Sequence, residues 1–216
     1  MLNCSSHVKA TLSVLAFFLM ILASSESIAV QKLDICYNFS CKTKEPIELS
    51  SEEWRSVIGW FYPAATDAVI EREQLKQAVG WLEVVVGKHT PTHKDKGLNL
   101  EKNPEFQGQL DCIDESLNIT NYMNLFYKQG HMRFHRPVER AYRRGGFDQH
   151  WAGQLEEIAT GTRFVIDSWF QDNGMLPYIA KSEEWHDLTD AQILLFLRKS
   201  RICASVRSCH SSLFAM

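Results

Sequence analysis

Two runs in the last third of the chain, "QHWAGQLEEI" and "TRFVIDSWF", flank the turn-forming "ATGT". Both are rich in β-branched and aromatic residues, and the turn between them carries Gly161, so together they predict an antiparallel hairpin. The second run carries a carboxylate, Asp167, among apolar residues. A buried strand seldom holds such a group without a partner. His150, early in the first run, is a suitable one. A turn centred between Ile158 and Ala159 sets His150 directly opposite Asp167. The Thr160–Gly161 turn signal moves the centre later and slips the pair by a few residues. The spacing therefore permits the contact and leaves the register open.

Ahead of this hairpin the chain reads as mostly helical. Ser50 or Ser51 followed by acids marks a helix start. Residues 66–86 carry Val69, Leu75, Val79, Leu82 and Val86 at helical spacing, with Gly87 as a stop. Residues 88–108 are polar, contain Pro and Gly, and read as a long surface loop. The stretch "GQLDCIDESLNIT" opens a further helix. Asp111 is the N-cap and Asp114 completes a capping box, and apolar residues on more than one side make the helix a buried one. Gly130 ends it. Residues 131–146 are basic and broken by Pro137 and a Gly pair. After "DNGMLP" turns the chain, "YIAKSEEW" is a further strand or a short helix.

Length and composition set the class. With 216 residues, 45% of them hydrophobic, the chain can bury one sizeable core. A net charge of -3 gives no electrostatic case for a nucleic acid partner. Residues 1–29 have the layout of a secretory signal peptide: weakly basic Lys9, an apolar run over 12–23, and small residues at Ser27 and Ala29. The apolar run is about a dozen residues, whereas a membrane-spanning helix needs roughly 20. The expectation is an exported protein, periplasmic or extracellular, with no stable span after cleavage; an uncleaved anchor is the alternative. The organisation is then a signal over 1–29, one domain over 30–187, and a tail of uncertain packing over 188–216.

Export gives the six cysteines their meaning. Cys4 leaves with the signal. Cys36 and Cys41 in "CYNFSC" are candidates for one local disulfide, and Cys203 and Cys209 for another. Cys112 is left without an evident partner, which flags a reactive thiol; a small buried hydrophobe is the bland alternative. A thiol nucleophile needs a base, and the base needs an orienting group. Cys112 at a helix start, His150 and Asp167 supply all three. The helix start and an imidazolium favour the anionic sulfur, while Asp111, Asp114 and Glu115 oppose it.

A cysteine opening a buried helix, a histidine entering a strand and an aspartate in the next strand resemble the transglutaminase-like branch of the papain-like superfamily. The quoted segments cover about 60 residues. The chain also resembles an uncharacterised exported bacterial family with that core. The resemblance implies an α+β fold in which the Cys helix packs on a small antiparallel sheet. It implies Cys112 as nucleophile, His150 as general base and acid, and Asp167 as orienter of the imidazole. The Cys112 N–H would donate to the oxyanion, with Gln109 as a candidate side-chain donor and Trp81 as another. No cofactor is implied. The substrate would be a protein or peptide acyl group, with Arg133, Arg136 and Trp169 as candidate substrate-binding residues. The run Arg133, Arg136, Arg140, Arg143 and Arg144 would grip an acidic substrate or form a solvated surface.

Two rival readings stand beside the enzyme. One is a non-catalytic binding module on the same fold. The other is a metal-dependent hydrolase, from the pairs His89/His93 and His131/His135. Those pairs lie in Pro-containing loop-like stretches and lack the glutamate of an HExxH motif. Asn38 and Asn118 match glycosylation sequons, and the helix around Asn118 argues against its use.

Overall fold

The computed structural model describes residues 31–98, 107–145 and 148–187, with Thr189, Ala191, Gln192 and Leu195. The segment read as a signal, Cys4, Cys203, Cys209 and most of the 188–216 tail lie outside the described residues.

The fold is mixed helix and sheet with a small antiparallel sheet. It opens with a hairpin of β1 (Gln31–Tyr37) and β2 (Thr43–Leu49), closed by a Cys36–Cys41 disulfide. Between the strands, Asn38, Phe39, Ser40 and Cys41 all have φ between 53 and 69°, a left-handed run. Four such residues in succession cost conformational energy, so something must hold them.

Helix α1 (Ser51–Ile58) begins in a full capping box between Ser50 and Glu53, as the "SSEE" signal predicts. Helix α2 (Ala68–Val86) is capped by Asp67 and buries Leu75, Val79, Leu82 and Val86. Val69, assigned to the same stripe from its spacing, is 58% exposed, because a position six residues before Leu75 falls on another side of the helix, whereas Glu71, four before it, is buried. A 3₁₀ turn (Pro91–Lys94) follows, and the buried Thr92 and Asp95 anchor that part of the loop.

Helix α3 (Cys112–Lys128) starts at the predicted place, with Asp111 as N-cap and Asp114 closing the capping box. Ile119, Tyr122, Met123 and Phe126 are buried, and Trp54 of α1 stacks on Phe126 at 5.9 Å. The side carrying Ile119 and Met123 rests on the sheet. That sheet runs β3 (His135–Pro137), β5 (Asp148–Glu157), β6 (Arg163–Asp167) and β7 (Tyr178–Lys181), all antiparallel, with β4 (Ala141–Gly145) also pairing β5. Helix α4 (Ser182–Asp187) follows β7 directly, so "YIAKSEEW" forms a strand and then a helix.

Strand β5 is central, and α3 crosses it at Gly153. A Cβ there would lie 2.6 Å from Ile119 Cγ2 and 3.2 Å from Met123 Cε. Only a residue without a side chain lets the helix approach this closely. The approach brings the start of α3 to the start of β5.

Among the described residues no helix is long and apolar enough to cross a membrane.

Candidate active site

The β5–β6 ladder pairs Gly153 with Ile166 and Glu156 with Arg163. The turn therefore lies later than a centre at Ile158, as the Thr160–Gly161 signal indicates. One further step of the ladder sets Asp167 against Ala152, two residues from His150 and on the same face. Such diagonal neighbours are within reach of a long side chain. His150 Nε2 donates to Asp167 Oδ2 at 2.7 Å. The same oxygen accepts the Trp185 indole N–H from α4 at 2.9 Å.

The pair is sealed. His150 and Asp167 are 3% and 1% exposed, and Trp169, Phe170 and Trp185 ring the imidazole at 4.8, 5.3 and 5.6 Å between centroids. Excluding water strengthens every charge interaction inside. Burial alone pulls the imidazole down. The Asp167 charge and hydrogen bond, with a smaller contribution from the nearby Cys112 sulfur, outweigh it and hold His150 pushed up to about 9. With Nε2 turned to Asp167, Nδ1 is the nitrogen left for the sulfur.

Cys112 is a free, half-buried thiol packed against the cluster of Ala141, Ala152, Val165, Trp169, Phe170, Tyr178 and Trp185. Its Sγ also lies 3.8 Å from the Gln149 carbonyl oxygen. The first-turn amides of Ile113 and Asp114 donate to Asp111 Oδ1, and that of Glu115 to the Asp111 carbonyl. These bonds leave the Cys112 N–H, beside its own sulfur.

The acids around Cys112 are engaged in holding the helix start. Asp111 Oδ2 accepts the Ser40 N–H at 2.9 Å, and Asp114 Oδ1 accepts the Cys41 N–H at 2.5 Å. The left-handed loop of the N-terminal hairpin thus presents successive amides to two carboxylates, an anion-binding nest. Burial, then the Asp111 charge, pushes Asp114 up to about 7. Burial, then Glu83, Asp95, Asp167 and Asp114, pushes Glu115 well above the carboxylate range. Burial likewise raises Glu83 to about 7, although it accepts from the Ser168 hydroxyl and the Gly174 amide. Asp114 and Glu115 therefore keep their protons to higher pH than exposed carboxylates do.

The other expected residues divide. Gln109 is buried, donates from Nε2 to the Lys94 carbonyl at 2.7 Å and accepts from the Lys96 N–H, which braces the loop ahead of α3. Trp81 lies on the exposed side of α2 and donates to Ser56. Trp169 packs on His150, and among the described residues its buried indole N–H has no acceptor. Arg133 and Arg136 do not come to the site. Arg133 donates to the Ala65 carbonyl, and Arg136 pairs with Glu156 at 2.6 Å, at the far end of β5. Six residues of strand separate Glu156 from His150, about 20 Å. Two other members of the basic run do reach it: Arg143, paired with His150 across β4 and β5, is buried, donates to the Trp185 carbonyl at 2.7 Å and stacks over the Trp185 ring at 4.4 Å, and Arg140 donates to Ser116 on α3.

The histidine pairs are each tied elsewhere. His89 bonds Glu53 and His93 bonds the Gly87 and Thr90 carbonyls. His135 is enclosed between Glu71 and Arg72, and His131 stacks on Phe61. Among the described residues no group of three or more His, Cys, Asp and Glu side chains is arranged to hold a metal ion. Asn118 is 2% exposed and bonds both the amide and the carbonyl of Cys36, so its sequon is sealed.

Reasoning from sequence missed Trp185 and Ser116. Trp185 lies 18 residues beyond Asp167 with no local pattern to link them. Comparison with protein families, curated proteins and solved structures found no match to this chain.

Proposed function

We propose that the chain is an exported, thiol-dependent acyl-transfer enzyme on a papain-like, transglutaminase-like core, acting by amide or ester hydrolysis or by transamidation. The observation that carries the reading is the sealed His150–Asp167 pair at 2.7 Å with the Cys112 sulfur as the neighbour of the same imidazole. The disulfide in the N-terminal hairpin agrees with an oxidising compartment.

The proposed steps begin at the thiol. The Cys112 proton passes to His150 Nδ1, and the thiolate attacks the substrate carbonyl carbon. The oxygen gains a negative charge and accepts a hydrogen bond that the Cys112 N–H, beside the sulfur, donates. Asp167 holds the imidazolium through Nε2. The imidazolium then protonates the departing amine or alcohol, and a thioester forms. Water or a second amine, deprotonated by the same imidazole, releases the acyl group and restores the thiol.

Mass-resolved labelling with iodoacetamide tests this. Cys112 is expected to react faster in the folded protein than in the unfolded chain. His150→Ala is expected to slow it by about tenfold or more at neutral pH. A folded protein whose Cys112 is inert would sink the enzyme reading and leave a binding module on the same fold.

A further inference from the structure

Arg140 of the basic run is held against α3 one turn beyond Cys112. It lies just before β4, is half-buried, and sets its guanidinium 4.6 Å over the Trp151 ring. Its Nη1 donates to Ser116 Oγ at 2.9 Å. Ser116 stands one turn after Cys112 on α3, and Trp151 is the residue after His150. The cation is therefore clamped between the helix of the nucleophile and the strand of the base.

What the cation lacks is an anion. Arg72 has Glu157, Arg136 has Glu156 and Arg163 has Glu139. Among the described residues no carboxylate pairs with Arg140. A guanidinium offers five N–H donors in a planar fork that matches a carboxylate, and the Ser116 bond uses one. A stacked, partly desolvated guanidinium binds an anion more strongly than a solvated one. Burial already weighs against its charge, while the sulfur charge favours it.

We propose that Arg140 is a specificity residue that binds a carboxylate carried by the acyl substrate close to the carbonyl attacked by Cys112. The proposal rests on the reading of Cys112 as a nucleophile and narrows the substrate to anionic acyl groups. It also separates Arg140 from a residue that only stabilises the thiolate. Such a residue would act alike on every electrophile, whereas a carboxylate anchor acts on anionic ones alone.

The test compares two alkylating agents of nearly equal size, iodoacetate and iodoacetamide, on the intact protein at neutral pH. In each, the sulfur displaces iodide. The His150 imidazolium itself favours the anionic reagent, so the reading is the change on substitution. Arg140→Gln is expected to cut the iodoacetate rate at Cys112 roughly tenfold, leaving the iodoacetamide rate within about twofold. Arg140→Lys restores part of the loss. The unsubstituted protein gives an independent readout: succinate slows labelling by iodoacetamide and succinamide does not. Parallel loss of both rates, an unchanged iodoacetate rate, or equal protection by the two additives overturns the proposal while the nucleophile stands. A Cys112 inert to both reagents removes the acyl-transfer reading and this inference together.

Discussion

Asp167 Oδ2 takes two N–H donors, from His150 and from Trp185, so its carboxylate is fixed in position as well as in charge. That arrangement makes the pH response of the site depend on one residue. His150 stands at about 9 because Asp167 and Cys112 overcome its burial. Asp167→Asn removes the charge and leaves the desolvation, so the alkaline limb of the alkylation or activity profile should move toward neutral pH. Turnover should fall on the order of 10²-fold or more. A limb that stays near pH 9 in the variant would show that Asp167 does not govern the imidazole. The buried indole N–H of Trp169 leads to an opposite expectation for stability. An unsatisfied buried donor costs about 1–3 kcal/mol, so Trp169→Phe should leave thermal stability equal or higher, read as Tm by calorimetry. A large drop would mean that this N–H has a role in the fold.

At the scale of elements, the start of α3 is held from two sides. Below it, Gly153 permits the helix to lie on β5. Gly153→Ala should cost about 1–3 kcal/mol by overpacking against Ile119 and Met123, measured by denaturant unfolding. The same change should slow Cys112 alkylation as the helix start shifts away from β5. Beside it, the hairpin loop offers Ser40 and Cys41 amides to Asp111 and Asp114. Cys41→Ser opens a short loop worth about 2 kcal/mol in the chain-entropy account and frees the left-handed run. Stability and Cys112 reactivity should fall together, and an unchanged thiol would mean the loop and the site are independent. Much of this was legible in the chain. "LDCID" announced the capped helix, and the Thr160–Gly161 turn pointed to the later register that puts His150 diagonal to Asp167. The hairpin's grip on α3 was not legible, because its contacts join residues more than 70 apart. The acids looked like a threat to the thiol for the same reason, since local sequence does not reveal which carboxylates are buried and hold their protons more tightly.

For the whole molecule, the raised groups act with one sign. Glu83 and Asp114 stand near 7, Glu115 well above the carboxylate range, and His150 near 9. Each binds its proton more tightly folded than unfolded. The stability they supply is present below their unfolded values and is lost as pH rises through their folded ones. Glu71 and Glu53 act oppositely, their stabilisation disappearing as pH falls below the usual carboxylate range. Tm should therefore peak in mildly acidic solution and decline steadily from about pH 5 to pH 9; a maximum at alkaline pH would contradict these assignments. The hairpin also has a consequence for how the thiols are sorted. Cys36 and Cys41 are five residues apart, while either lies more than 70 residues from Cys112. Closing the short loop is favoured over either long one by on the order of 2 kcal/mol of chain entropy. The two early cysteines thus find each other before Cys112 can compete for either.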